Sequence, residues 1–217
     1  MEIVITIPAY NEEKTIGPLI NEINRVMKGG SYNYKILVVD DGSKDNTKGS
    51  AKKSGAIVLR HLVNLGKGAS LKTGCDYAVK NKSDIIIVID ADAQHDPNEI
   101  PRFLENLKKH DVVLAYRKSN KNMPFVLKFG NWFLNKTIRF LYGIEIKDSQ
   151  CGYRAFTSES YEKLRWKAID YSVESEIIAR IGKYNLRYKE IPIKTIYSDI
   201  YKGTTILDGI KIVFNLL

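Results

Sequence analysis

Two carboxylates, Asp90 and Asp92, stand two residues apart directly after the β-branched run Ile85–Ile89. Such a run is typical of a strand buried on both faces, and side chains two apart in an extended segment point the same way. Both carboxylates can then face one ion, and hard oxygen ligands select Mg²⁺ or Mn²⁺, which would neutralise a diphosphate leaving group. An Asp-rich turn, with Asp92 capping the next helix, is the alternative; the position after a buried strand favours the metal site.

Polar residues also follow two other predicted strands. Pro8–Glu12 comes after the first, and Asp40 and Asp41 come after the second. One of these two carboxylates could hydrogen-bond a nucleotide base or ribose, while the other serves an Asp-Gly-Ser turn. Leu65–Gly68 precedes a helix, so its backbone amides and Lys67 could meet a phosphate, although a simple loop leading into the helix is the alternative. The absence of GxGxxG in the first turn argues against a dinucleotide-binding Rossmann protein.

Strand-like and helix-like segments alternate through the first half of the chain. This alternation indicates an α/β fold with a mostly parallel sheet covered by helices on both sides. Ligands of such sheets bind at the carboxyl ends of the strands, where the polar clusters lie. The predicted strands are Glu2–Ile7, Tyr34–Val39, Ile57–Arg60, Ile85–Ile89 and Val112–Ala115, and the predicted helices are Thr15–Met27, Asp45–Ser54, Ala69–Lys80 and Glu99–Lys109.

The second half of the chain is less regular. It contains two short predicted strands, one predicted helix, an apolar and aromatic stretch with interspersed cations, and a predicted amphipathic helix at the end. The predicted strands are Gly152–Thr157 and Arg187–Pro192, and the predicted helix is Val173–Tyr184. The aromatic stretch is Pro124–Tyr142, and the amphipathic helix is Thr204–Leu217.

The bulk composition fits one globular domain. The chain has 217 residues and a net charge of +9, so we expect a single domain over 1–217, in which 1–117 and 118–217 form two regions. A basic balance implies an acidic partner, such as nucleic acid, an anionic membrane or phosphorylated substrates. Cys75 and Cys151 show no CxxC pattern, which favours a reducing compartment over a disulfide or zinc framework. Neither a signal peptide nor a bilayer-spanning apolar run is evident.

Five short motifs together resemble family 2 glycosyltransferases of the GT-A fold, in particular the dolichyl-phosphate mannose synthase-like branch. No single motif is specific for the family, but the occurrence of all five in the same order is. The likeness covers nearly the whole chain. The resemblance implies a Rossmann-like GT-A fold, in which the region 1–117 binds nucleotide-sugar and metal and the region 118–217 meets the acceptor and the membrane. The motifs are PAYNE (Pro8–Glu12), DDGSKDNT (Asp40–Thr47), NLGKGAS (Asn64–Ser70), DADAQHDP (Asp90–Pro97) and DSQCGYRAF (Asp148–Phe156).

The same resemblance implies roles for individual residues. The metal, Mg²⁺ or Mn²⁺, would be bound by Asp90, Asp92 and Gln94. The catalytic residues would be Asp92 and Arg117, the latter as a phosphate contact just after the fifth strand. Lys202 and Gly203 resemble a basic, Gly-containing loop of the family that would close over the donor, but the matching segment is short. The nucleotide-sugar would be contacted by Pro8, Ala9, Tyr10, Glu12, Val38, Asp40, Lys67, Asp90, Ala91 and Lys202.

A membrane surface is the expected second partner. The stretch Lys108–Arg139 holds eight Lys or Arg and one acid, Asp111, with aromatic residues between the cations. This mixture suits a membrane interface, although an ordinary core helix with a solvated basic edge is the alternative. No nucleic-acid motif is present, so nucleic acid is not an expected partner. We expect a peripheral protein on the cytoplasmic face of a membrane, and many relatives carry transmembrane helices after the catalytic domain.

The acceptor decides which catalytic groups are needed. A phosphate monoester is already ionised near neutral pH and needs cations to hold it in line, not a base. Arg117, Lys128 and Arg139 could hold such a phosphate. A hydroxyl acceptor needs a general base, for which Glu174 and Glu176 are candidates; alternatively, both acids favour a helix amino terminus through its dipole.

The sequence therefore predicts inverting, metal-dependent transfer of a sugar from a GDP- or UDP-linked donor to a polyprenyl (dolichyl) phosphate. Transfer to a glycan hydroxyl is the first alternative within enzymes. A nucleotidyltransferase is disfavoured because its Gly-rich start after the first strand is absent. A non-catalytic membrane-binding or partner-binding module is the alternative outside enzymes, and the retained acidic motif argues against it.

Overall fold

The structure is a computed structural model that describes residues 1–117 and 136–194. The strands in these residues are β1 (Glu2–Ala9), β2 (Asn33–Asp40), β3 (Ile57–Arg60), β4 (Ile85–Val88), β5 (Val112–Arg117), β6 (Arg154–Thr157) and β7 (Tyr188–Ile193). The helices are α1 (Glu13–Gly29), α2 (Thr47–Lys53), α3 (Lys67–Lys80), α4 (Ile100–Leu107), α5 (136–142), α6 (Ser158–Leu164) and α7 (Val173–Lys183). A 3₁₀ turn at Pro97–Glu99 precedes α4.

All seven strands belong to one sheet, in the order β3-β2-β1-β4-β6-β5-β7. The pairs β1–β2, β1–β4, β2–β3 and β5–β7 are parallel. Among the described strands β6 alone is reversed, and it pairs antiparallel with β4 and with β5. The mostly parallel α/β sheet predicted from the sequence is confirmed, and the reversed strand inside it is a feature that the sequence pattern did not indicate.

The central strands are buried on both faces because helices cover each side of the sheet. In β1, Ile3, Ile5 and Ile7 belong to the apolar cluster that contains residues of α1 and α4. Val4 belongs to the opposite cluster, which contains residues of α3, α6 and α7. The run Ile85–Ile89 alternates between the same two clusters, as the two-residue period of a strand requires. This packing fixes the strand ends that carry the polar residues.

Several element boundaries differ from the sequence prediction by one or a few residues, two of them at residues of the site, and one helix was missed. Strand β5 extends to Arg117, so this arginine ends the strand and does not follow it. Helix α3 begins at Lys67, two residues earlier than predicted. Helix α6 was not predicted, because seven residues are too few for a helical period to stand out. Its start is capped by Thr157, whose hydroxyl oxygen accepts a hydrogen bond from the Ser160 amide at 3.1 Å.

Much of the predicted membrane-facing region lies outside the described residues. The predicted amphipathic helix Thr204–Leu217 lies there entirely, and of Pro124–Tyr142 only residues 136–142 are described, as helix α5. Within 1–117 and 136–194, the helices are too short or too polar to cross a membrane.

Candidate active site

The carboxyl ends of β2, β1 and β4 lie side by side, because these strands are parallel neighbours in the sheet. The turns after β1 and β2 are joined directly by hydrogen bonds. The Asp41 amide donates to the Ala9 carbonyl at 2.8 Å, and the Asn11 amide donates to Ser43 Oγ at 2.9 Å. The Glu12 amide donates to Thr47 Oγ1 at 2.8 Å. The polar clusters predicted to meet at one edge of the sheet are therefore brought together.

Asp40 and Asp41 have different roles in this edge. Asp41 accepts hydrogen bonds from the Leu65 amide at 3.0 Å and the Gly66 amide at 2.8 Å, and it contacts His61 Nδ1 at 2.6 Å. It therefore holds the loop before α3. Asp40 Oδ1 accepts from the Ser43 amide at 2.9 Å, whereas Asp40 Oδ2 is buried, makes no hydrogen bond and lies 3.5 Å from Arg60 Nε as an ion pair. Asp41 therefore serves the turn, and the nucleotide contact assigned to Asp40 stays a prediction.

The other predicted nucleotide contacts differ in accessibility. Tyr10 is exposed at the end of β1, and Glu12 lies beside it, accepting a hydrogen bond from Thr15 Oγ1 at 2.7 Å. Pro8 and Ala9 are the last residues of β1 and are buried. Val38 is fully buried in the apolar cluster with α1. The side chain of Val38 is thus enclosed in the core, and its contact with the nucleotide stays a prediction.

The acidic segment after β4 is a turn, so the extended geometry expected for Asp90 and Asp92 is wrong. Ala91 and Asp92 lie in this turn, Ala91 is buried, and Ala93 has a φ of 59°. Asp92 Oδ1 accepts a hydrogen bond from the Gln94 amide at 3.0 Å. The two carboxylates nevertheless interact, since burial and the charge of Asp90 raise the pKa of Asp92. The cap that the alternative interpretation gave to Asp92 is made by Asp96, which accepts from the Asn98 amide at 2.9 Å at the start of the 3₁₀ turn.

Asp90 is held between two basic side chains. Its Oδ1 atom lies 2.8 Å from Lys67 Nζ, and its Oδ2 atom lies 3.4 Å from His95 Nε2. Burial alone would raise the pKa of Asp90, but Lys67 and His95 outweigh burial and hold it well below its usual range. Gly152 packs against this carboxylate so closely that a Cβ there would stand 2.4 Å from Asp90 Oδ2. Asp90 is therefore a fixed, ionised group at the centre of the site.

Lys67 is the second fixed charge. Its ammonium lies 2.8 Å from Asp90 Oδ1 and 2.8 Å from Glu174 Oε1. Burial lowers the pKa of Lys67, but the charges of these two carboxylates outweigh it and raise the pKa well above its ordinary value. Lys67 was predicted to contact a donor phosphate; in the structure its ammonium is at the ligand edge and already has two carboxylate partners.

Arg117, at the end of β5, is oriented by Asp148. The guanidinium donates from Nε to Asp148 Oδ2 at 2.7 Å and from NH2 to Asp148 Oδ1 at 3.0 Å. Burial would raise the pKa of Asp148, but the hydrogen bonds and charge of Arg117 lower it instead. Sequence analysis did not assign a role to Asp148 or to His95, although both lie in the quoted motifs. Their signal is weak because a pairing partner distant in sequence cannot be identified from one chain.

The two candidate bases on α7 are not equivalent. Glu176 accepts hydrogen bonds from the Lys167 amide at 3.0 Å and the Ala168 amide at 2.8 Å, and Arg180 Nε donates to it at 2.9 Å. Both oxygens of Glu176 therefore stabilise local structure, and the role of base that the sequence allowed for it stays a prediction. Glu174 is buried, with Oε1 on Lys67 and Oε2 without a hydrogen-bond partner.

The predicted acceptor-phosphate residues fall partly outside the described chain. Arg139 lies on α5 with a largely exposed side chain and pairs with exposed Glu145 at 3.0 Å. Lys128 and Lys202 lie outside the described residues, so their assignments stay predictions.

The carboxylates fit a Mg²⁺ or Mn²⁺ ion completed by a diphosphate. Asp92 is a hard oxygen ligand whose ionised form is disfavoured by burial and by Asp90, and a cation would relieve this repulsion. Within 1–117 and 136–194 there is no cluster of three His, Cys, Asp or Glu side chains suited to a metal. Mg²⁺ commonly binds through one or two carboxylates plus substrate phosphates, so Asp92, with Asp90 beside it, would hold the ion. The role of Gln94 stays a prediction.

The order of the strands, the reversed strand β6 and the acidic residues at the edge of the sheet are together those of a glycosyltransferase of the GT-A fold. Crystal structures of glucosyl-3-phosphoglycerate synthase from Mycobacterium tuberculosis have this fold. One of them, in complex with Mn²⁺, UDP-glucose and phosphoglyceric acid, aligns with a TM-score of 0.74 and 23% identity over 93% of this chain and 73% of its own. The chain belongs to the family described as Glycosyl transferase family 2, whose sequence model matches residues 4–165.

Two named relatives cover the chain almost from end to end. A UDP-N-acetylglucosamine--dolichyl-phosphate N-acetylglucosaminyltransferase from Methanococcus voltae is 36% identical over 99% of this chain and 94% of its own length. A dolichol-phosphate mannosyltransferase from Pyrococcus furiosus is 30% identical over 100% of this chain and 64% of its own length. The family resemblance inferred from the five motifs is thereby confirmed.

Proposed function

We propose that this enzyme transfers a sugar, with inversion and with the help of Mg²⁺ or Mn²⁺, from a UDP- or GDP-linked donor to a polyprenyl phosphate at a membrane surface. The observation that carries the proposal is the edge itself, where Asp40, Asp90 and Asp92 lie at the carboxyl ends of adjacent parallel strands. The two relatives named above use dolichyl-phosphate or dolichol-phosphate according to their names, which supports a lipid phosphate as the acceptor.

The donor would lie along the ends of β1, β2 and β4. Asp40, at the end of β2, would accept a hydrogen bond from a base or ribose group. Its Oδ2 atom makes no hydrogen bond, and Arg60 Nε lies 3.5 Å from it as an ion-pair partner. Tyr10 is exposed beside it. Asp92, with Asp90 beside it, would hold the metal ion, which supplies charge neutralisation of the diphosphate as the sugar–phosphate bond breaks.

The acceptor phosphate would approach from the Arg117 side. Because this phosphate is ionised already, the protein needs to hold it in line with the anomeric carbon and need not remove a proton. The oxygen of the phosphate forms the new bond as the nucleotide diphosphate leaves with the electron pair of the old one. Asp148 fixes the Arg117 guanidinium at 2.7 and 3.0 Å, so the cation is oriented before the acceptor binds.

Transfer to a hydroxyl is the second candidate function, and the position of Glu174 is the observation that supports it. This carboxylate is buried at the start of α7, and its Oε2 atom has no hydrogen-bond partner. A base in this position could accept a hydroxyl proton. The two candidates differ in acceptor, so an assay can separate them.

The test is a radiolabel assay with a panel of UDP- and GDP-sugars and a short prenyl phosphate, with the prenyl alcohol of equal length as the matched control. We expect label in the organic phase with the phosphate only, and no transfer in excess chelator. The anomeric configuration of the product, read by NMR, tests inversion. Label found solely in water-soluble glycan would overturn the lipid acceptor, and full turnover in chelator would overturn the metal.

A further inference from the structure

One side chain of the site has no assigned role in transfer to a lipid phosphate, although it is almost fully buried. Glu174 has a side-chain exposure of 4% and lies in the first turn of α7. Its Oε1 atom is 2.8 Å from Lys67 Nζ, and the same ammonium is 2.8 Å from Asp90 Oδ1. The three residues come from α7, α3 and the end of β4, so one ammonium joins three separate elements.

The backbone around Lys67 is held as closely as its side chain. A Cβ at Gly66 would stand 2.3 Å from the Ile169 carbonyl oxygen, and one at Gly68 would stand 2.4 Å from that of Ala168. Trp166 Nε1 donates to the Gly68 carbonyl at 2.8 Å. The amino terminus of α3 is thereby fixed against residues 166–169, which lie just before α7.

The start of α7 is fixed from its other side as well. Gln150 Nε2 donates to Ser175 Oγ at 3.0 Å, and Glu176 binds the amides of Lys167 and Ala168. Glu174 therefore has a fixed position relative to Lys67. The long lysine side chain has many rotamers, and a carboxylate on each side of its ammonium selects one of them.

We propose that Glu174 is a positioning residue that holds the Lys67 ammonium beside Asp90, where Lys67 contacts the diphosphate of the donor. Glu174 acts through Lys67 and takes no proton from the acceptor. This inference rests on the proposed nucleotide-sugar transfer, and it excludes the role of base that transfer to a hydroxyl would give to Glu174. It predicts that the two residues are coupled in donor binding.

The test is a double-mutant cycle on donor affinity and on kcat, with Lys67→Met, Glu174→Ala and the double variant. We expect Lys67→Met to weaken binding of the UDP- or GDP-sugar by about tenfold or more, the loss of one charge-assisted phosphate contact. Glu174→Ala should raise donor Kd and KM, and the double variant should bind no more weakly than Lys67→Met alone. Losses that multiply in the double variant would overturn the proposal.

Glu174→Gln keeps the shape and an oxygen acceptor for Lys67, so it guards against misfolding in Glu174→Ala. We expect it to restore most of the donor affinity and to keep kcat within about tenfold of the wild type, whereas loss of a general base costs about 10²–10⁴-fold. A loss of that size with unchanged donor affinity would make Glu174 a base and overturn the proposal. Glu159→Gln, at an exposed first-turn position of α6, is the matched control.

Failure of the proposed function would look different. If the wild type formed no prenyl-linked product, the lipid acceptor would be wrong, and the cycle on donor affinity would still decide the pairing of Lys67 with Glu174. The wild type could instead form the lipid product while the two substitutions act independently on donor affinity. In that case the proposed function would stand and the positioning role would be removed.

Discussion

Asp148 accepts three hydrogen bonds from Arg117. Two come from the guanidinium, at 2.7 Å and 3.0 Å, and one comes from the backbone amide at 3.2 Å. The carboxylate is nearly buried, and the arginine side chain is 22% exposed. A cation at the ligand edge is therefore held in one orientation by an anion from the DSQ segment.

Arg117→Ala should reduce transfer by about 10²–10³-fold, the usual cost of removing one preorganised electrostatic contact. It should also destabilise the fold by up to about 3–5 kcal/mol, because Asp148 would stay buried without its cation. The double variant Arg117→Ala/Asp148→Asn should regain stability and not activity. Kinetics and urea unfolding on the same samples check both effects. Wild-type kinetics in a folded Arg117→Ala variant would remove Arg117 from the reaction.

The stability that Asp148 contributes should depend on pH. Its pKa in the folded protein is lowered from the ordinary value of 3.8, so the contribution is present above that value and lost as pH falls through the folded pKa. The gap in unfolding free energy between wild type and Asp148→Asn should be constant from about pH 7 to 5 and shrink below about pH 4. Urea titrations across this range measure it, and a gap that widened in acid would contradict the prediction.

Asp92→Asn should separate stability from activity. Burial and Asp90 disfavour the ionised carboxylate, so the neutral amide should leave the metal-free protein as stable as the wild type or more stable. Each kcal/mol gained would appear as about 2–4 °C in Tm for a domain of this size. Transfer and Mn²⁺ binding should be lost. Thermal unfolding without metal and Mn²⁺ titration by calorimetry provide the measurements, and Mn²⁺ affinity equal to the wild type would show that the ion binds elsewhere.

Replacing Lys128 and Arg139 by Ala should weaken binding to anionic vesicles and use of a prenyl phosphate together. Each cation near an anionic surface contributes about 1 kcal/mol, and the effect is screened by salt. Stability should change little at Arg139, because its pair with Glu145 is exposed. Donor binding should also be unchanged. Vesicle sedimentation and the radiolabel assay, each at low and high salt, measure the two effects.

The control for that pair is Lys35→Ala/Arg187→Ala. Both cations pair with carboxylates near the amino ends of strands, at the opposite edge of the sheet. This variant removes the same charge and should keep vesicle binding and acceptor use. Equal losses in the two double variants would show that net charge, and not its location, attracts the membrane.

The sequence pattern was sufficient to predict the elements that have a clear hydrophobic period or that end at a clear turn signal. The run Ile85–Ile89 predicted a doubly buried strand, and the alternation of strands and helices predicted a mostly parallel sheet. The polar turn after β2 was located correctly because the Asp-Gly-Ser turn marks it, whereas β1 continues through Pro8, which was expected to end it, to Ala9. These signals are local, and each depends on residues close together in the chain.

What could not be predicted depends mostly on pairs far apart in the chain. Lys67 and Glu174 lie on helices from opposite halves of the sequence, and no pattern in one sequence connects them. The reversed direction of β6 depends on pairing with β4 and β5 and not on its own residues. The turn at Ala91–Ala93 has a local cause instead, because a hydrogen bond from the Gln94 amide to Asp92 competes with strand geometry.

That reversed strand has a consequence for how this fold diversifies. The chain leaves the sheet at the carboxyl end of β5, at Arg117, and re-enters it at Arg154, which pairs with Val88 at the carboxyl end of β4. Departure and return thus occur on the same edge, and the register of the parallel strands does not depend on the length of what lies between. A chimera built between relatives could therefore exchange residues 118–153 for a segment of another length, provided that it keeps the contacts of Asp148 with Arg117 and of Gly152 with Asp90.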